Sequence, residues 1–201
     1  MSVRVKICGV MTPEDARFCA EAGADAIGIN FWPGSQRCVG VVRAVEIIRG
    51  LPASLQKVGV FVDADRAEIE RTIAAVGLDA IQLHGKESPD DCAGFAVPVI
   101  KAIQITDDLE SPAAVAARYA VDFVLLDAAR GGSGRVFDWR RAFGVDTERL
   151  FLAGGLRPDN VAAAVRLVRP YAVDTASGVE ASPGRKDLRR VREFIDNAKH
   201  A

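Results

Sequence analysis

Apolar residues fall in eight short runs along the chain: VRVKIC (3–8), AIGINF (26–31), KVGVFV (57–62), AIQLH (80–84), PVIKAI (98–103), FVLLD (123–127), LFLAG (150–154) and, more weakly, YAVDTA (171–176). Most are continuous rather than alternating, the pattern of parallel strands covered on their outer face by helices. Between them apolar positions recur at helical spacing: Val41, Val45 and Ile48; Ile69, Ile73 and Val76; Val161, Val165 and Val168; Leu188, Val191 and Ile195. Thr12-Pro13-Glu14, Ser88-Pro89-Asp90 and Ser111-Pro112 each set a capping hydroxyl before a first-turn proline, which predicts helix starts there.

Eight strand–helix units of roughly 25 residues fill the chain and predict an α/β fold, a (β/α)8 TIM barrel, as a single domain over residues 1–201. A doubly wound open sheet is the alternative, because alternation alone does not say whether a sheet closes. No G-x-G-x-x-G follows the first strand, and glycine and polar signals occur at the ends of several strands instead of one, which favours the barrel. Three strand starts also look alike: Ala24-Asp25-Ala26-Ile27, Leu78-Asp79-Ala80-Ile81 and Val121-Asp122-Phe123-Val124. Such a repeat suits a barrel of duplicated units.

Composition narrows the partners. The chain is 49% hydrophobic, and its 26 basic and 27 acidic residues are dispersed, with no basic stretch of the kind that binds nucleic acid. No apolar run approaches the ~20 residues needed to cross a membrane, and Met1-Ser2-Val3-Arg4-Val5-Lys6 lacks the apolar core of a signal peptide, so a cytoplasmic location is expected. Cys8, Cys19, Cys38 and Cys92 have no metal-ligand spacing and only His84 and His200 for company; reduced thiols are expected, with Cys19 and Cys92 as core fillers on helices. No metal or organic cofactor is expected.

In a barrel the chemistry gathers where strands end. There the sequence supplies Cys8 and Gly9, then Arg37 in FWPGSQRCVG, Gln82 and His84 in QLHG, Asp127, Gly154-Gly155, and Asp174 before Ser177-Gly178. Taken with GGSGRVFDW (131–139), LAGGLRPDNV (152–161) and VDTASGVEASPGRKD (173–187), the KICG, QLHG and LLD segments resemble the phosphoribosylanthranilate isomerases of tryptophan biosynthesis, from the first strand to the last helix.

The resemblance implies a cofactor-free Amadori rearrangement of N-(5-phospho-β-D-ribosyl)anthranilate to 1-(2-carboxyphenylamino)-1-deoxyribulose 5-phosphate. It implies Asp127 as the acid that protonates the ring oxygen and Cys8 as the base that takes the C2 proton. At neutral pH this asks for a carboxyl raised from its usual ~4 and a thiol lowered from ~8.5. It further implies that Gly132, Gly154, Gly155, Ser177 and Gly178 hold the phosphate through backbone N–H groups, and that Arg37 takes the anthranilate carboxylate. Asp174 is expected either to orient substrate hydroxyls or to be structural. His84 is expected to be structural and Gln82 is not assigned; Gly131 belongs to the loop, with Gly134 allowing its turn.

Each of these residues also has a plainer reading: Asp127 as a loop cap, Cys8 as a small core residue, Arg37 as an ordinary surface arginine. Two positions depart from the family pattern. Gln36 stands where a proline commonly rigidifies the loop before Arg37, and Ala176 where a second serine is common. The related histidine-pathway isomerase typically has an aspartate where Cys8 stands, which argues against that activity, and a noncatalytic phosphate-binding barrel would have no use for a facing acid and base. A phosphorylated small molecule is the expected partner, and the chain is expected to be a monomer or a homodimer.

Overall fold

The computed structural model describes residues 2–108, 111–128 and 136–201. Eight strands, β1 (Arg4–Cys8), β2 (Ala26–Asn30), β3 (Gln56–Phe61), β4 (Ala80–Leu83), β5 (Val99–Ile105), β6 (Phe123–Ala128), β7 (Leu150–Leu152) and β8 (Ala172–Thr175), pair in sequence order and close β8 onto β1. All the barrel pairings are parallel. The open-sheet alternative is thereby excluded.

Side-chain alternation divides each strand between two cores. Val5, Ile7, Ile27, Ile29, Ile81 and Leu126 point outward and are completely enclosed beneath the helices. Each such side chain contributes on the order of 1.5–3 kcal/mol, so this outer seam carries most of the apolar stabilisation. The inward set is smaller: Ala26, Val58, Ala80, Ile100, Ala102, Leu125 and Ala172 form a separate cluster within the barrel. Phe123, Phe151 and Tyr171 cluster with ring centroids 4.9–5.6 Å apart, Phe123 stacked on Tyr171 and edge-on to Phe151, at its N-terminal mouth. The barrel therefore opens only at the C-terminal ends of its strands.

The repeat at the three strand starts has a structural cause. Asp25 Oδ2 accepts from the Val5 N–H at 2.8 Å, Asp79 Oδ2 from the Lys57 N–H at 2.8 Å, and Asp122 Oδ2 from the Val99 N–H at 2.9 Å. In each case an even-numbered strand begins with a carboxylate that clamps the first free N–H of the strand before it, at the end of the barrel remote from the plugged core's opening.

The helices follow the sequence less closely. Helices α1 (Pro13–Glu21), α2 (Val41–Ile48), α3 (Arg66–Val76), α4 (Pro112–Ala116), α5 (Val161–Val168) and α6 (Leu188–Lys199) are present. Thr12 and Ser111 cap α1 and α4 by accepting from Asp15 and Ala114 N–H groups. The helix expected after Ser88 is absent: the cap itself forms, Ser88 Oγ accepting from the Asp91 N–H at 3.3 Å and Asp91 Oδ2 from the Ser88 N–H at 3.0 Å, but the segment runs in turns that end at Gly94, with φ +73°. Cys92 is buried in that turn, not on a helix. Between β6 and β7 the described residues hold only two short 3₁₀ turns, Trp139–Ala142 and Thr147–Arg149. Finally, β9 (Glu180–Ser182) and β10 (Arg185–Lys186) form a hairpin just after β8. No helix among the described residues is long and apolar enough to cross a membrane.

Candidate active site

At the open end lies a cavity of about 340 Å³ that is lined by Cys8, Arg37, Asp127, Gly154, Gly155, Asp174 and Ser177, together with Trp32, Gln82, His84 and Gln104. Strand register builds it. Lys6 and Cys8 alternate onto the inner face of β1, and the β1–β8 register sets Lys6 directly beside Asp174. Across the barrel Gln104 stands beside Asp127.

Beneath the cavity Lys6 is fully enclosed and donates to Asp174 Oδ1 at 2.9 Å. Burial opposes its charge, yet the Asp174 carboxylate and the neighbouring Cys8 sulfur together hold the ammonium above its usual range. Gly28 faces both groups: a methyl there would stand 2.6 Å from Cys8 Sγ and 3.1 Å from Lys6 Nζ. The expectation of a lowered thiol is not met. Burial pushes Cys8 up and Asp174 adds to it, while Lys6 and Lys186 only moderate the effect. Cys19 is pushed up to about 12 by burial and Cys92 to about 11, as suits core thiols.

Arg37 reaches the rim from the β2–α2 loop, lying across the end of β1. Gly9 has φ +71°, and a Cβ there would collide with the Arg37 stem, so glycine is required. Nε donates to Glu180 Oε1 at 2.8 Å and Nη2 to Glu180 Oε2 at 2.7 Å. Glu180 is in turn held by Lys186, whose Nζ donates to Glu180 Oε1 at 2.9 Å and to the Cys8 carbonyl at 2.6 Å. Burial opposes the Glu180 charge, but Arg37 and Lys186 outweigh it and hold the carboxyl below its usual range. The loop therefore does not depend on a proline at position 36: Glu180 and the Ser35 hydroxyl, which accepts from the Arg37 N–H, fix Arg37 instead.

Gly154 and Gly155 adopt φ +80° and +71°, and their N–H groups have no acceptor among the described residues. A side chain at Gly154 would press on the Ala128 N–H at 2.6 Å. Ser177 opens a 3₁₀ turn on the cavity wall. Gly178 does not line the cavity; its Cα packs against the Leu156 carbonyl, leaving no room for a side chain. Gly132, with Gly131 and Gly134, lies outside the described residues.

His84 and Gln82, set aside in the sequence, both face the cavity. Gln82 Nε2 lies 2.8 Å from His84 Nδ1, and His84 Nε2 lies 3.3 Å from Asp127 Oδ2. The Asp127 Oδ1 accepts from the Ala128 N–H at 2.8 Å. They sit two residues apart on β4 and its extension, so the alternation that turns one inward turns the other inward as well. Lys6, Glu180 and Lys186 were missed too, although Lys6 stands two residues before Cys8 and the VEASPGRKD segment carries the other two. Among the described residues no three His, Cys, Asp or Glu side chains converge as metal ligands.

Comparison with known proteins shows the family. Residues 5–197 match the family described as N-(5'phosphoribosyl)anthranilate (PRA) isomerase. A Pelobacter propionicus protein named N-(5'-phosphoribosyl)anthranilate isomerase is 48% identical over 202 residues, covering 98% of this chain and 96% of its own. The crystal structure of phosphoribosyl anthranilate isomerase from Thermotoga maritima superimposes with a TM-score of 0.90 at 39% identity, over 99% of this chain and all of that one. Another crystal structure, of a phosphoribosyl anthranilate isomerase in complex with reduced 1-(o-carboxyphenylamino)-1-deoxyribulose 5-phosphate, gives 0.86 at 40% identity over 99% of this chain and all of that one. With the closed barrel and the full-length match in agreement, this chain belongs to the N-(5'-phosphoribosyl)anthranilate isomerase family.

Proposed function

We propose that residues 1–201 act as one catalytic domain that converts N-(5-phospho-β-D-ribosyl)anthranilate to 1-(2-carboxyphenylamino)-1-deoxyribulose 5-phosphate, with Asp127 as general acid and Cys8 as general base. The observation that carries this reading is that one cavity is lined at once by Cys8, Asp127, Arg37 and the Gly154-Gly155 turn. Asp127 gives its proton to the ribose ring oxygen as the C1–O bond breaks, leaving a Schiff base between C1 and the anthranilate nitrogen. Cys8, in the thiolate form that the Lys6 ammonium favours, then takes the C2 proton, and the resulting enolamine tautomerises to the ketone as C1 gains a proton and the C2 hydroxyl loses one. Proton transfers suffice, so the chemistry calls for no cofactor.

The two anions of the substrate meet different partners. The Nε–Nη2 edge of Arg37 is engaged by Glu180, which leaves the Nη1–Nη2 edge to take the anthranilate carboxylate as a fork. Free N–H groups of Gly154 and Gly155, joined by Ser177, receive the phosphate. Asp174 stands at the cavity floor, where its second oxygen can accept from a substrate hydroxyl. The test is direct: the purified protein is given phosphoribosylanthranilate formed in situ, and the decay of anthranilate-type fluorescence is followed with and without EDTA. Turnover in both is expected. No turnover by folded protein overturns the reading.

A further inference from the structure

His84 and Gln82 have no part in the two proton transfers above, yet they form a chain that ends on the acid. Gln82 is 1% exposed, and its amide nitrogen faces His84 Nδ1 at 2.8 Å while its oxygen, buried, has no hydrogen-bond partner among the described residues. An amide nitrogen only donates, so Nδ1 must accept, and a neutral imidazole then carries its proton on Nε2. That nitrogen is the one 3.3 Å from Asp127 Oδ2.

Turned over, the amide would offer its oxygen to an Nδ1–H, and Nε2 would then set a lone pair against Asp127 that competes with the ring oxygen for the acid's proton. The geometry points to Gln82 and His84 as positioning residues for Asp127: Gln82 fixes the His84 tautomer, and His84 aims an N–H at the oxygen where charge appears as the acid proton leaves for the ring oxygen. The arrangement is preorganised, because the dipole is in place before the charge develops. This inference rests on the reading of Asp127 as the acid.

The protein has only two histidines, His84 and His200, so ¹⁵N-histidine NMR with a His200→Gln variant assigns both. We expect the His84 proton on Nε2 and a bare, hydrogen-bonded Nδ1. In single-turnover kinetics His84→Leu should lose about 10- to 100-fold in rate, the loss typical of one hydrogen bond to a charged group, with KM within threefold. His84→Gln, whose amide can place a donor near the same point, should recover most of that loss. Gln82→Glu, which accepts from Nδ1–H, should move the proton in the NMR spectrum and slow the rate as His84→Leu does. A proton resting on Nδ1 in the wild type, or a His84→Leu enzyme at wild-type rate, overturns the proposal. Wild-type turnover by Asp127→Asn overturns the acid assignment itself, and this inference with it, whereas loss of turnover in Asp127→Asn with His84→Leu at wild-type rate overturns this inference alone.

Discussion

Lys6 Nζ and Asp174 Oδ1 stand 2.9 Å apart within the barrel, in adjacent register on β1 and β8, with Cys8 one inward position above the lysine. Breaking a buried pair leaves an uncompensated charge, whereas removing both partners does not. Lys6→Met should therefore lower stability by about 3–5 kcal/mol, and Lys6→Met with Asp174→Asn by clearly less, as read by urea unfolding followed by circular dichroism. Equal losses in single and double variants would mean that the charge is compensated elsewhere.

The same lysine bears on the base. Burial holds the Cys8 thiol above its ordinary ~8.5, so the free protein carries little thiolate at neutral pH. Alkylation of Cys8 by iodoacetamide, quantified by peptide mass spectrometry, should be slow at pH 7 and should accelerate steadily beyond pH 8.5. Since Lys6 acts to lower the thiol, Lys6→Met should slow the reaction further at neutral pH. A rate already maximal at pH 7 would show that the thiolate is formed without substrate.

Arg37 and Glu180 divide binding from preorganisation. Arg37→Ala should raise KM roughly 10- to 100-fold, the value of a charge-assisted contact of about 1.5–3 kcal/mol, while inhibition by inorganic phosphate stays unchanged. Glu180→Gln leaves the guanidinium present but less firmly held, and a smaller rise in KM is expected. Glu180 also has a pH signature. Its carboxyl titrates lower in the folded state than in the unfolded chain, so its contribution to stability is present above the unfolded value of ~4.3 and fades as pH falls through the folded one. Glu180→Gln should remove that part of the acid-side decline, as followed by thermal unfolding between pH 3 and 6.

The clamps at the other end of the barrel test whether stability and chemistry are separate. Asp122→Ala frees the Val99 N–H and should cost about 1–3 kcal/mol without changing kcat. Any loss of kcat in the folded variant would tie the plugged end to the site.

How much of this the sequence showed depended on whether a feature was local. Continuous apolar runs placed all eight strands, because burial on both faces leaves no other composition for them. Cys8, Asp127 and Arg37 were legible because strand ends are fixed by those runs. The helix after Ser88 was not: the cap that the sequence predicts is there, Ser88 and Asp91 each accepting from the other's N–H, but the turn that it starts ends at Gly94, which adopts φ +73°. Lys6, Glu180 and Lys186 were hidden for another reason: each is a charge whose partner lies on another element, and Lys6 and Asp174 are 168 positions apart in sequence. His84 was set aside because nothing local shows that Asp127, two strands along the barrel wall, stands within 3.3 Å of it.

The acid and base themselves give the last expectation. Asp127→Asn keeps the shape and can still accept from the Ala128 N–H, but it has no proton of the required acidity to give. Its kcat should fall by at least the 10²–10⁴ usual for general acid catalysis. Cys8→Ser should fall by a comparable or larger factor, since a hydroxyl yields almost no alkoxide at neutral pH, whereas Cys8→Asp restores a proton acceptor and should keep some activity. That aspartate would share the floor with Asp174, and the single Lys6 ammonium would then face two carboxylates, so Cys8→Asp should regain activity only in part. If both groups serve one sequence of proton transfers, the Asp127→Asn, Cys8→Ser double variant should not multiply the two losses. Steady-state kinetics on the variants, with circular dichroism to confirm folding, decides the matter: an Asp127→Asn enzyme within threefold of wild-type kcat would leave the aspartate as a loop cap and require another proton donor for ring opening.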